Sequence, residues 1–410
     1  MRSSLPLDVM ADIAARSDPV TLVRCAATCI DLRRRAADPA FHRHLRLRHA
    51  DHFVPSLLRG HLVGKSDGLL AGDEDEEDGS NSDADKVWLV ETTHTGANAA
   101  TATVCRASER CHCAPGGGRL RLHRPVAWRD GLLLIRTARD LRVCNPATGR
   151  SQILPPEPNF QGQYVLLVGD GEGGGAVGRP FHVAKVDVVL SEGHSRYLKI
   201  QTFSSEHGGA WGSCTRIRAP QLRGSYLLHK GLGTPLVVGN SAYLLCLADA
   251  ARYVLELNVR AARVTAVTTL LPETYPASAR SARDQYLLAT ATARGSPIVL
   301  VADDDKISVW ALSEHESRWE KQSQVVIHKD EIVRFSKGAV CAPYDTAPIR
   351  LEWFAERSGA VLIRIHGYGF FWLDLRSMAI VRHFSSYEYF VYCPYEMHLS
   401  SWAPTFGSSL

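Results

Sequence analysis

The feature that most constrains this chain is a repeat. Six stretches begin at residues 86, 141, 197, 253, 307 and 370, each an apolar run that leads through a polar turn toward a second strand. Typical members read "LRVCNPATGRSQIL" (141–154), "YVLELNVRAARVTAV" (253–267) and "FFWLDLRSMAIVRHF" (370–384), and successive starts lie 55, 56, 56, 54 and 63 residues apart. A unit of about four strands cannot bury both its faces alone, so repeats of this size pack radially as blades of a β-propeller. The period therefore predicts a propeller-like β-domain of about six blades over residues 86–410. Short apolar runs such as "GLLLI" (131–135), "YVLLV" (164–168), "TPLVV" (234–238) and "AVLIRI" (360–365) supply strands. A large β-sandwich or two stacked β-domains would use the same strands less economically.

The chain before the repeats has a different texture. Residues 5–60 read as three short helices. Ser17-Asp18-Pro19 offers a cap with proline at the first helical position, and Asp38-Pro39 repeats the device. Between them Leu22, Cys25, Ala26 and Cys29 follow the spacing of one helix face. Residues 64–85 hold six consecutive acids, then Gly, Ser, Asn and Asp. Such a stretch repels itself and buries nothing. The expected fold class is thus α+β and multi-domain: a small all-α domain over 1–60, an acidic disordered linker or loop over 61–85, and a large all-β domain.

Charge and thiols narrow the function classes. A net charge of +4 over 410 residues gives no general argument for nucleic acid or membrane as partner. The N-terminus lacks the apolar stretch of a signal peptide, and the ten cysteines are scattered, so reduced thiols and a cytoplasmic or nuclear location are expected. Cys105, Cys111, His112 and Cys113 are the densest soft-ligand cluster. Their spacing misses the paired-knuckle pattern of structural zinc, so no metal and no cofactor are expected. "GDGEGGGAVG" (169–178) follows a strand, yet another alternating run follows it, which makes it a hairpin loop and not a dinucleotide turn. "GHLVGKS" (60–66) lacks the first glycine of a P-loop. Arginines 33–35, 43, 46 and 48 make the N-terminal region basic without an aromatic stacking platform, so a solvated or protein-facing helix is expected there. No catalytic constellation can be assembled.

Residues 5–45, "LPLDVMADIAARSDPVTLVRCAATCIDLRRRAADPAFHRHL", resemble an F-box. Leu5 and Pro6 match its opening, Val9 and Ile13 its first helix. Asp18, Pro19 and Leu22 match its turn into the second helix, which runs through Val23 and Ala26 to Cys29. Ile30 stands where a basic residue is common and Leu32 where a tryptophan is common. The stretch "WRDGLLLIRTARDLRVCNPATGRSQILPP" (128–156) is similar to the β-domains of F-box proteins of grasses, a family of unassigned function. There Asn145-Pro146 opens a turn and Gly149 supplies positive φ.

The resemblance implies a non-catalytic substrate receptor of a cullin–RING ubiquitin ligase. Leu5, Pro6, Val9, Ile13, Pro19, Leu22, Val23, Ala26, Cys29 and Leu32 would dock on a Skp-type adaptor and through it on a cullin. The β-domain would hold an unidentified target protein. The competing reading is a propeller that binds sugars or metabolites, or an enzyme, beside a vestigial F-box. An axial pocket lined by convergent acids and histidines would favour it.

Overall fold

The computed structural model describes residues 6–16, 25–36, 38, 40–41, 52–65, 87–91, 104–106, 124–137, 140–146, 148–169, 176–190, 196–206, 209–222, 227–248, 251–270, 285–293, 295–313, 319–335, 347–384 and 389–397. Among these residues the strands form six antiparallel sheets in a β-propeller arrangement.

The first sheet joins both ends of the β-domain, in the order β25-β1-β2-β3: β1 (Leu58–Lys65), β2 (Val87–Glu91) and β3 (Val104–Arg106) with β25 (Tyr389–Glu396). The second sheet is β4 (Arg124–Arg129), β5 (Leu132–Arg136), β6 (Leu141–Asn145) and β7 (Arg150–Ile153). The third is β8 (Gln163–Val168), β9 (Phe181–Val189), β10 (Tyr197–Ser204) and β11 (Thr215–Arg218). In the fourth, β12 (Leu227–Leu232) and β13 (Leu236–Val238) both pair with β14 (Ser241–Ala248), followed by β15 (Arg252–Asn258) and β16 (Arg263–Leu270). The fifth is β17 (Tyr286–Thr290), β18 (Pro297–Ala302), β19 (Lys306–Leu312) and β20 (Trp319–His328). The sixth is β21 (Ile349–Ala355), β22 (Ala360–Ile365), β23 (Gly369–Asp374) and β24 (Ala379–Phe384).

The inner strands touch from sheet to sheet: β25 meets β4 and β21, β4 meets β8, and β17 meets β21. Counted outward from these strands, every repeat start of the sequence falls on, or one residue before, the third strand of a sheet: β2, β6, β10, β15, β19 and β23. The period therefore marks one fixed position in a recurring four-strand unit.

Apolar residues fill the spaces between successive sheets. Leu134, Leu141 and Val143 of the second meet Tyr164, Leu166 and Phe181 of the third. Val186, Leu198 and Ile200 meet Leu244, Leu255 and Leu257 of the fourth. Leu62, Cys393 and Tyr395 of the first meet Leu133, Ile135 and Cys144 of the second. Full burial of each such side chain is worth about 1.5–3 kcal/mol, which is why nearly continuous apolar strands recur: both faces of a blade are covered. His61 on β1 is enclosed by Phe370, Trp372 and Phe384, with ring centroids 5.0–6.4 Å away. Burial lowers its pKa to about 3, so it is a neutral core residue.

Before the β-domain, α1 (Leu7–Arg16) and α2 (Ile30–Ala36) pack through Ala11, Ala14, Leu32, Ala36 and Phe41, with Cys25 and Cys29 half-buried against them. Residues 25–28 are also helical, and the Arg33 side chain donates to the Ala26 and Ala27 carbonyls at their end (3.0 and 3.1 Å). The Asp38 cap is formed, its Oδ1 accepting the Ala40 N–H at 2.8 Å. Most of the expected third helix lies outside the described residues.

Two boundaries differ from the sequence reading. Residues 58–60 are not helical and 61–65 are not linker: all belong to β1, whose register with β25 (Leu62↔Cys393, for example) carries the N-terminal segment into the β-domain. Two glycines and two charged residues among eight weaken the strand signal of "LRGHLVGK", and only its partner reveals it. The rest of the acidic stretch, 66–85, lies outside the described residues. Within the β-domain a short helix, α3 (Lys329–Phe335), follows β20.

Candidate functional site

The turns after β4, β8, β13, β17 and β21 converge, and a cavity of about 320 Å³ opens among them. It is lined from the second sheet by Arg129 and Asp130, from the third by Gly169, from the fourth by Gly239, Asn240 and Arg260, from the fifth by Ala293, and from the sixth by Glu356 and Arg357. Local sequence explains the convergence. Asp130-Gly131 closes the β4–β5 hairpin with both residues at positive φ (46° and 82°), the backbone of the tight hairpin turn that favours Asp-Gly. Gly359 (φ 71°) ends the β21–β22 turn, and a side chain there would drive its Cβ to 2.4 Å from the Phe53 ring.

The charges on the cavity floor are locked to one another. Arg357 grips Asp130 through Nε (2.8 Å) and Nη2 (3.2 Å), joining the sixth sheet to the second. Arg129 pairs with Glu356 and donates to the Val237 carbonyl (3.2 Å), while the Val237 N–H donates to Glu356 (3.0 Å). The Arg129–Glu356 pair is thereby anchored to the fourth sheet. Glu396, at the end of β25, accepts the Arg357 N–H (3.1 Å), the Ser358 N–H (2.7 Å) and the Ser358 hydroxyl (2.5 Å). One network thus ties the first, second, fourth and sixth sheets across the axis. Burial pushes the Glu356 and Glu396 carboxyls up, Glu396 to about 6, against the opposing pull of Arg129 on the first and of the Ser358 and Arg357 donors on the second.

A second charged site lies at the other end, between the second and third sheets. A cleft of about 900 Å³ is bounded by Arg136, the β5–β6 turn, the proline-rich loop 154–162 and Lys185. Glu157 Oε1 receives both Arg136 Nη2 and Lys185 Nζ at 2.5 Å. Lys185 also donates to the Pro158 carbonyl at 2.9 Å and lies 5.2 Å from the Phe160 ring centre. Burial alone would raise the Glu157 carboxyl, but hydrogen bonds from Lys185 and Tyr164 and the charges of both cations outweigh it and hold it below the usual range. Burial and the neighbouring Glu157 push the Tyr164 phenol well above its ordinary value.

The residues expected to dock a partner divide sharply. Pro6, Val9 and Ile13 are exposed on or beside α1, Val9 at 43 % and Ile13 at 51 %. Ala26 and Leu32 are buried and Cys29 is half-buried inside the helical module, so those three face its own core. Leu5, Pro19, Leu22 and Val23 lie outside the described residues, as do Cys111, His112 and Cys113. Gly149 has the positive φ expected of it (68°), and the Thr148 and Gly149 N–H groups donate to Asn145 O, closing the β6–β7 turn. Neither charged cluster was found by sequence reasoning. One signal was present: "RDG" (129–131) and "ERSG" (356–359) place an arginine, an acid and a glycine at the same hairpin of two different repeats.

Fold and sites together define a β-propeller protein whose described polar centres are internally paired. The chain belongs to a family described as "Domain of unknown function (DUF7595)", whose model matches residues 90–403. No curated protein matches the sequence. Solved structures similar to it include an oligogalacturonate lyase in complex with manganese: 10 % identity, TM-score 0.30, 72 % of this chain and 70 % of that one. Others are the Dos1 propeller (10 %, 0.29, 64 % and 61 %) and Citrobacter koseri AztD (10 %, 0.28, 66 % and 58 %). The chain thus spans less than two thirds of the length of these last two. Likenesses this distant carry no residue roles.

Proposed function

We propose that this protein is a non-catalytic substrate receptor of a cullin–RING ubiquitin ligase, docking on a Skp-type adaptor through its N-terminal helices and presenting a target protein on its propeller. The observation that carries the reading is the exposed row on α1. Val9 and Ile13 are four residues apart on one helix face, Leu7 on the same helix and Ile30 on α2 are exposed as well, and the described helices bury mainly alanines against Leu32 and Phe41. Such a module gains stability when its apolar row is covered by a partner. The resemblance of residues 5–45 to an F-box identifies the partner's class.

The six sheets are read as six blades of a closed ring, sealed where β25 of the C-terminal region meets β1. Work in the cytoplasm or nucleus fits this role. A non-catalytic role is supported at the axial cavity, where the acids are engaged by arginines and, among the described residues, no histidine contributes to the lining. A receptor needs no bond-making residue: it raises the local concentration of target lysines near the ubiquitin-loaded enzyme.

The test is co-elution of the full chain with a Skp-type adaptor. Val9→Asp with Ile13→Asp should abolish the complex while the thermal unfolding of the β-domain stays unchanged. A chain that binds no such adaptor, or a double variant that binds it as well as the parent, overturns the proposal.

A further inference from the structure

We infer that the cleft between the second and third sheets is the surface that takes the target, and that the target offers it an acidic peptide segment. The inference rests on the receptor reading above and names the partner chemistry of its β-domain.

The cleft continues outward along one face of the third sheet. On that face Asp187, Lys199 and Arg216 are cross-strand neighbours in β9, β10 and β11, and Val189, Tyr197 and Arg218 form the next row. Lys199 Nζ lies 6.0 Å from the Phe160 ring centre and 5.9 Å from that of Tyr197, and Arg216 lies 5.6 Å from Tyr197. Phe160 in turn sits beside Lys185, so the cleft and the outer face form one continuous surface. Arg136, Lys185, Lys199, Arg216 and Arg218 stand there against Glu157 and Asp187. Asp140, at the cleft edge, is already closed by Arg142 and Thr137.

Glu157 is saturated by Arg136 and Lys185, Lys199 faces the Asp187 carboxylate across the paired strands, and among the described residues no salt bridge engages Arg216 or Arg218. Two like charges directly opposite each other on paired strands are destabilising. Lys and Arg on an outermost strand do discourage edge-to-edge association, which suffices for Arg216 and Arg218 alone. Neither that role nor the pairing of Lys199 with Asp187 explains the aromatic rings beside the cations, Phe160 and Tyr197. An acidic segment lying along the face would neutralise the repelling pair and rest against Phe160 and Tyr197. The proline wall and the carboxylates of Glu157 and Asp187 suit the point charges of a peptide better than a continuous phosphate backbone.

The test is fluorescence anisotropy of the full chain with a labelled glutamate-rich peptide, a lysine-rich peptide and a single-stranded oligonucleotide of matched charge. The glutamate-rich peptide should bind, and added salt should weaken it. Lys199→Glu with Arg216→Glu should weaken it by about tenfold. Arg260→Glu, in the axial cavity at the other end, should leave it unchanged. Absence of binding at low salt, equal binding to the double variant, or tighter binding of the oligonucleotide overturns the inference. The same variants are run with a Skp-type adaptor. Peptide binding without adaptor binding breaks the receptor reading and leaves the cleft assignment standing. Adaptor binding without peptide binding breaks this inference alone.

Discussion

The two ends of the propeller use the same ingredients, arginine or lysine beside glutamate, and reach opposite electrostatic results. At the axial end the Glu356 and Glu396 carboxyls are pushed up. In the cleft Glu157 is held down. The difference is a count of cations per carboxylate set against burial. Glu396 is fully enclosed and its direct partners are neutral donors, two backbone N–H groups and a hydroxyl, so lost solvation dominates. Glu157 is more open and takes two full positive charges on one oxygen. The axial end is therefore a fastening that joins sheets, and the cleft is a charged surface with cations to spare.

Breaking that comparison starts with its strongest element. Arg357→Ala removes the two-point partner of the buried Asp130 carboxylate, to which Arg129 Nε comes no closer than 3.7 Å. It should cost about 3 kcal/mol in denaturant unfolding, whereas Arg136→Ala in the cleft, where the arginine is 41 % exposed, should cost less than about 1 kcal/mol. Equal losses would erase the distinction. Next, Gly359→Ala forces a Cβ against the Phe53 ring from a positive φ, and thermal denaturation should register a loss of about 2 kcal/mol.

The pH response is of similar size and sharper. A carboxyl raised to about 6 when folded stabilises fully below its unfolded value near 4.5, and that stability is lost as pH rises through 6. Wild type should thus lose about 2 kcal/mol relative to Glu396→Gln between those limits, measured as the difference between two stability–pH curves. Glu157 carries the opposite sign: its contribution is present above its unfolded value and lost as pH falls through its lowered one. The smallest effect belongs to the outer face, where Lys199→Glu should change stability by no more than about 0.5 kcal/mol. A large loss there would mean that this lysine holds the fold.

Much of the fold was legible because its signals are local. Continuous apolar runs such as "AVLIRI" became β22 over the same residues, and the spacing of such runs located the third strand of every sheet. Turn chemistry was equally local at Asn145 and Gly149. β1 escaped because a glycine-containing, mixed-polarity strand is defined by its partner, and that partner lies more than three hundred residues further along the chain. The division of the residues expected to dock escaped for a related reason. Helical spacing groups Val9, Ile13, Ala26 and Leu32 as apolar, but only the packing of α1 on α2 decides which of them turn inward.

By itself the sequence determined the repeat, its strands and turns, and the change of texture between the helical region and the β-domain, because each depends on neighbours within a few residues. Tertiary structure alone decided which charges meet. Arg129 and Glu356, or Asp130 and Arg357, are 227 residues apart and carry no periodic mark of their pairing. The closing of the sheets around an axis brings them within bonding distance, and burial at that point sets the sign of their carboxyl shifts.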